Sequence, residues 1–202
     1  MKTKQLEFEN LPVRIPRSQL KFARERLNDR LEHTEATLAV TGELVAVYLR
    51  LQEVETPLFK ASLFHDCARE LPANDQLELA RKFRGTLDDI ERESSALWHA
   101  PAGGQLLVEE LGFSPEDKIV RAVGNHSTGT AGMSPVLKGL LVADFTERTR
   151  PFPAAHRLRN KFDRLNFNDL VRNVLEEKIS ACMKNNKKLH PRSIEAYNSL
   201  CD

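Results

Sequence analysis

Apolar positions recur along this chain at three- and four-residue intervals, and nowhere do they alternate over a useful length. That pattern predicts helices throughout and no sheet. Ala36 to Leu51 is apolar around most of its circumference, as in a helix enclosed on most sides. Glu55-Thr56-Pro57 then breaks and restarts the chain, with Pro57 in the first turn of a helix that carries residues 58–70 and stops near Leu71-Pro72. Upstream, residues 1–16 are charged and punctuated by Pro12 and Pro16, which reads as an extended arm. Ser18 to Arg30 follows as a strongly basic helix.

Downstream, a short helix is predicted over Asn74 to Lys82, then a charged connector from Arg84 to Glu93. Pro101 seats the next helix, which runs to Leu111 and closes on Gly112. Ser114-Pro115 and Ser134-Pro135 each pair an N-cap with a proline at the first helical position. The first of these predicts a helix ending at Asn125-His126, the second a helix reaching about Arg148. Between them lies the loop from Ser127 to Gly132. Pro151 and Pro153 interrupt, Asn168 to Lys187 is a last long helix, and His190-Pro191 opens a short terminal one. The expected organisation is an arm over residues 1–16 and one all-α helical domain over residues 17–202.

Composition narrows what such a bundle does. The chain has 202 residues, 41% of them apolar and 29% charged, which suits one soluble domain with a sizeable core. A net charge of +1 argues against a bulk nucleic-acid binder. Three cysteines without a CxxC pair, no signal-peptide core and no run of transmembrane length point to a cytoplasmic protein with no membrane partner.

Candidate chemistry sits where polar residues interrupt apolar faces. His65-Asp66 follows Leu63-Phe64, and a carboxylate in such a run costs several kcal/mol unless something pairs with it. Asp144 completes the stripe of Leu137, Leu140 and Leu141, where another leucine is expected. His126 completes the stripe of Ile119, Ala122 and Val123 in the same way. His99 precedes the turn that Pro101 opens, beside Trp98 and ahead of Gly103-Gly104, a pair that marks close approach by a helix or a ligand. His33 lies between the basic helix and the enclosed one, whereas His156 and His190 sit among lysines and arginines that read as exposed. Each residue alone has a structural reading, as a helix cap or a hydrogen-bonded core group. Together, four histidines and two aspartates form a ligand set for iron, manganese, zinc or nickel. Six ligands exceed the needs of one ion, so two ions bridged by Asp66 is the simplest arrangement. Two close cations can hold a hydroxide at neutral pH and grip a phosphoryl oxygen, which is phosphohydrolase chemistry.

The order His33, His65-Asp66, His99, His126, Asp144 resembles the HD-domain superfamily of metal-dependent phosphohydrolases. More narrowly, the chain looks like the bacterial YqeK-type HD proteins, which are symmetrical diadenosine tetraphosphate hydrolases. The narrower likeness rests on residues 63–72, 126–134 and 142–150, with residues 190–198 similar to that family's C-terminal end. The resemblance implies a single-domain HD helical bundle with a di-iron-type centre, manganese, nickel or zinc being alternatives. His33, His65, Asp66 and Asp144 would hold one ion; Asp66, His99 and His126 the other. It also implies a dinucleoside polyphosphate substrate, split into two ADP by a metal-bridging hydroxide, and leaves a homodimer open. Arg69 stands where the family usually has lysine, one helical turn from the doublet, and is expected to face the phosphates. Thr130 stands where an arginine is common. Arg30, Thr128, Gly129 and Arg148 are the further expected substrate contacts, with the loop at Thr128 and Gly129 presenting backbone N–H groups as an anion nest does. An HD enzyme acting on nucleoside monophosphates or guanosine tetraphosphate, and a nucleotide sensor without turnover, are the competing readings.

Overall fold

A computed structural model describes residues 11–201, and every regular element in them is helical. In chain order these are α1 (Arg17–Arg26), α2 (Leu31–Val47), α3 (Leu49–Gln52), α4 (Glu55–Phe64), α5 (Ala73–Arg84) and α6 (Asp89–Glu93). A single 3-10 turn over Ser95–Leu97 precedes α7 (His99–Leu111), α8 (Lys118–Asn125), α9 (Pro135–Thr146), α10 (Pro153–Arg159), α11 (Phe167–Lys184) and α12 (Pro191–Asn198). No helix among these is long and apolar enough to cross a membrane.

The centre is built by α2, α4, α8 and α9, with α4 and α9 each packed on the other three; α7 packs on α8 and carries α5, and α11 covers α9 and carries α12. The all-round apolar helix expected after Ala36 is α2, with Leu38, Val40, Leu44 and Val45 buried. Its buried Thr37 and Thr41 are satisfied internally, each hydroxyl donating to the carbonyl four residues back at 2.9 Å. The helix stops earlier than the pattern predicts. Tyr48 turns extended (φ −108°, ψ 108°), and its hydroxyl donates to the Phe162 and Leu165 carbonyls at 2.7 and 3.1 Å. α3 then resumes as a separate turn.

Several boundaries need correction. Ser134-Pro135 opens α9 as expected, Ser134 Oγ accepting from Leu137 N at 3.3 Å. Ser114-Pro115 does not open α8. Asp117 caps that helix instead, accepting from Ile119 N at 2.8 Å, and a carboxylate at that position competes well with a hydroxyl three residues earlier. The charged connector from Arg84 to Glu93 contains α6, started by a capping box between Asp88 and Glu91. The basic helix ends at Arg26 rather than Arg30, α7 begins at His99 rather than at Pro101, and α10 was not expected at all. Residues 1–10 of the arm lie outside the described residues. Ile15 is buried and Leu11 and Val13 pack on the core, so the described end of the arm rests against the domain.

The two glycines of α7 answer to packing. A Cβ on Gly104 would fall 2.6 Å from the Phe83 ring, and one on Gly124 of α8 only 2.2 Å from it. The ring of α5 is thus seated between α7 and α8. A Cβ on Gly103 would meet Val123 at 3.1 Å, so that glycine eases the approach of α7 to α8.

Candidate metal centre and active site

The doublet lies just past the end of α4, not within a helix. Residues 65–70 form turns, tightened by bonds from Cys67 N to Phe64 O at 3.0 Å and from Arg69 N to Asp66 O at 2.9 Å. This placement is what orients His65. The last carbonyls of a helix have no partner inside it, and His65 Nδ1 donates to one of them, Ser62 O, at 2.8 Å. His126, just beyond α8, uses Val123 O at 2.8 Å; His99, opening α7, uses Ala96 O at 2.9 Å. With Nδ1 carrying the proton, Nε2 of His65 and of His126 presents a lone pair towards the site, while Nε2 of His99 also faces Ser127 Oγ at 3.2 Å. His33 sits in the first turn of α2, and its Nδ1 faces the fully buried Glu147 carboxylate at 3.1 Å.

All four Nε2 atoms converge on Asp66. Its Oδ2 lies 3.6 Å from those of His33 and His65, and its Oδ1 lies 3.6 and 3.9 Å from those of His99 and His126. Asp144 Oδ1 closes the first group, 3.1 Å from His33 Nε2 and 3.9 Å from His65 Nε2. Two triplets result, His33–His65–Asp144 and Asp66–His99–His126, the donor atoms of each lying within 4.8 Å of one another. The imidazoles also face one another nitrogen to nitrogen, His33 to His65 at 3.0 Å and His99 to His126 at 3.2 Å. Lone pairs so opposed repel unless a cation stands between them, and a divalent ion in each triplet fits that donor set.

Electrostatics keep the ligands in their binding forms. Burial pushes the Asp66 carboxyl up, but His65, His99 and His126 around it outweigh this and hold it below the usual carboxylate range. Asp144 is likewise raised by burial and brought well down by its bond to His33 and by Arg150. Burial, reinforced by His65, lowers the His126 imidazole to about 4; burial and His126 also take His99 well below its ordinary value. Both rings are neutral at pH 7 and ready to ligate.

A cavity of about 200 Å³ opens over the two triplets, bordered by Asp66 and Asp144 and by the cations Arg30, Arg69, Arg150 and Lys178. Arg30 borders this cavity and pairs with the doublet, Nε and NH2 lying 2.9 and 2.7 Å from Asp66 Oδ2. Arg69 NH1 lies 2.7 and 3.1 Å from the two ring nitrogens of His99. Arg148 is not at the site: its guanidinium is exposed and pairs with Glu43 at 2.5 Å, because the chain turns extended at Glu147. Arg150 takes the inward place, binding the Asp144 side chain and, at 3.0 Å, the Asp144 carbonyl. Thr128 and Gly129 do not offer an anion nest either. Their N–H groups donate to Asn125 O at 3.2 and 2.7 Å, closing α8, and Gly129 (φ 72°) is packed on Ala196.

Glu147, Arg150 and Lys178 join the site without being among the residues expected there; Glu147, which reads from the sequence as a surface carboxylate available to Arg148 and Arg150, is fully buried. Glu147 carried a signal, a carboxylate three residues after Asp144; Lys178 of α11 reaches the site only through the fold, its Nζ 3.4 Å from His126 O. His190 is buried rather than exposed. It joins Asp88 and Glu91 in a third acidic cluster, but there Arg84 and Arg192 already occupy the Glu91 carboxylate at 2.7–3.2 Å.

Comparison with known proteins agrees with this geometry. No protein-family model matches the chain. It is 29% identical over 172 residues to a symmetrical bis(5'-nucleosyl)-tetraphosphatase of Halalkalibacterium halodurans, covering 85% of this chain and 88% of that one. A protein of the same description from Bacillus subtilis is 29% identical over 140 residues, 69% of this chain and 74% of that one. A solved structure from Clostridium acetobutylicum, described as a predicted HD superfamily hydrolase involved in NAD metabolism, superposes with a TM-score of 0.79 at 26% identity, covering 91% of this chain and 96% of that one. With an all-helical frame of that shape, a buried His-Asp doublet and two facing ligand triplets, the chain is similar in fold and sequence to a hydrolase of the HD superfamily.

Proposed function

We propose that this chain is a metal-dependent phosphohydrolase that splits diadenosine tetraphosphate, or a close dinucleoside analogue, symmetrically into two nucleoside diphosphates. The observation that carries this reading is the placement of Asp66, one oxygen facing His33 and His65 and the other facing His99 and His126. We assign His33, His65, Asp66 and Asp144 to one divalent ion and Asp66, His99 and His126 to a second, with iron the first candidate and manganese, nickel or zinc the alternatives. Bound there, such a pair supplies Lewis-acid activation of a phosphoryl oxygen and of the attacking water.

The chain's own residues supply positioning. Glu147 holds His33 by its Nδ1, and the Ser62, Ala96 and Val123 carbonyls hold the other three rings, so the four imidazoles are oriented by the chain itself. Arg30, Arg69, Arg150 and Lys178 border a small cavity, Arg30 paired with Asp66 and Arg150 with Asp144, and a polyphosphate can meet more of these cations than a single phosphate ester can. The symmetrical tetraphosphatases among its relatives support the substrate class. Equal products require the central bridge of the tetraphosphate to lie at the ions. Incubating metal-loaded protein with diadenosine tetraphosphate should release two ADP, with metal content measured on the same sample. ATP plus AMP, or no turnover, overturns the proposal.

A further inference from the structure

His126 is held from behind by residues that belong to neither ligand triplet. It follows α8 directly, and Arg84 of α5 grips the two residues before it. Arg84 NH2 donates to Gly124 O and NH1 to Asn125 Oδ1, both at 2.8 Å. The Nε of the same guanidinium donates to Glu91 Oε1 at 3.0 Å. Glu91, buried in α6, also accepts from Arg192 of α12, from NH1 at 2.7 Å and from NH2 at 3.2 Å. Downstream of His126, α12 meets the chain twice more. Ser193 Oγ donates to Thr128 O at 2.9 Å, and a Cβ on Gly129 would lie 3.1 Å from that of Ala196. We infer that the Arg84–Glu91–Arg192 triad and α12 form a clamp that positions His126 as a ligand of the second ion. The inference rests on the metal assignment above.

Stability alone does not account for the triad. Two guanidiniums share one buried carboxylate, and burial, with Arg192 beside it, pulls Arg84 down to about 10. Taking such charges out of water costs much of what their attraction returns, and an apolar trio of similar volume often folds as well. What apolar side chains cannot supply is direction. Arg84 presents a rigid fork of N–H groups to acceptors on three pieces of structure: α6, the Asn125 side chain and the last turn of α8. The last three carbonyls of α8 each have a defined partner as a result. Val123 O takes His126 Nδ1, Gly124 O takes Arg84, and Asn125 O takes the N–H groups of Thr128 and Gly129. The His126 ring therefore moves only as this end of α8 moves, and that end is fastened through Glu91 to α12. α12 contributes no ligand, yet its seating sets where His126 Nε2 points.

Calorimetric titration of the chelator-stripped full chain with manganese(II) reads the two sites. The wild-type chain is expected to take two ions. Arg84→Met and Glu91→Gln should keep one at wild-type affinity and bind the other about tenfold or more weakly, and His126→Ala identifies the affected site by abolishing the same step. Arg192→Met, which cuts the clamp at its more exposed end, should shift that step in the same direction by a smaller factor, and it serves if the buried variants fold poorly. Arg84→Lys keeps the charge but cannot span all three acceptors, so it should stay weakened. Full recovery by lysine, or wild-type affinity at both sites in the folded variants, overturns the proposal. Nitrogen NMR of labelled imidazoles gives a readout that needs no metal: His126 should show one tautomer, protonated at Nδ1, in the wild-type chain and a mixture in the variants. Should the wild-type chain take up no manganese, the metal assignment fails on its own; an unchanged His126 tautomer in the variants then overturns the clamp as well.

Discussion

Glu147 is the residue on which the first triplet turns without belonging to it. It is fully buried, and besides His33 it accepts from Thr149 N at 2.5 Å and Thr149 Oγ1 at 2.7 Å. A carboxylate behind a ligating imidazole fixes the tautomer and raises its basicity, and loss of such a partner typically costs about 10–100-fold in metal affinity. Glu147→Gln keeps the shape and removes the charge, so metal titration of this variant should show a loss in that range with the other ligands intact. Acid should act on the metal-free protein through His99 and His126. Their folded values lie below the ordinary 6.5, His126 at about 4, so between those limits the unfolded chain binds more protons than the folded one. Their contribution to stability is therefore complete above about 6.5 and is lost as pH falls towards 4, by roughly 3 kcal/mol for His126 alone. Chemical denaturation of chelator-treated protein across that window should show the decline; a flat profile would contradict it.

At the scale of elements, the Phe83 ring holds α5 against α7 and α8 by occupying the space two side chains would need. Gly124→Ala drives a methyl into that ring and should destabilise the fold by about 1–3 kcal/mol, read as a lowered urea midpoint with an unchanged slope. Pairing it with Phe83→Leu, which vacates the contact, should recover part of the loss. The same scale shows what the sequence makes legible. His126 and Asp144 stand out because each ends an apolar stripe whose other members are buried, Ile119, Ala122 and Val123 in one helix and Leu137, Leu140 and Leu141 in the other. Ser134-Pro135 and Gly112 mark helix ends that the structure keeps. Ser114-Pro115 misleads because the local signal ignores a stronger cap at Asp117, and the Asp88–Glu91 box is hidden by the charges that surround it. Lys178 is illegible for another reason: nothing in α11 marks a side chain that meets His126 only after the helices have packed, whereas Arg150 reaches Asp144 only six residues back, through a turn that the local pattern leaves unspecified.

On the whole molecule, near-neutral charge conceals a polarised cavity. The chain carries 30 basic and 29 acidic residues, yet Arg30, Arg69, Arg150 and Lys178 share one opening of about 200 Å³. Their field should steer a polyphosphate into it, and screening should weaken that effect. The specificity constant kcat/KM is expected to fall as salt rises from about 0.01 to 1 M, where the Debye length contracts from about 30 Å to about 3 Å. Measured with the metal kept saturating, a constant value would remove steering from the account.

The six candidate ligands and Glu147 all fall between residues 33 and 147, whereas a neighbouring cavity of about 540 Å³ takes part of its lining from beyond that stretch, from residues 178–193, and the rest from residues 90–97 and 127–128. α12 is tied back across the bundle by Ser193 to the Thr128 carbonyl at 2.9 Å and by Arg192 to Glu91. Replacements after residue 178 can reshape that lining while all six candidate ligands are inherited intact, so gene duplication can yield proteins that share one centre and differ in what reaches it.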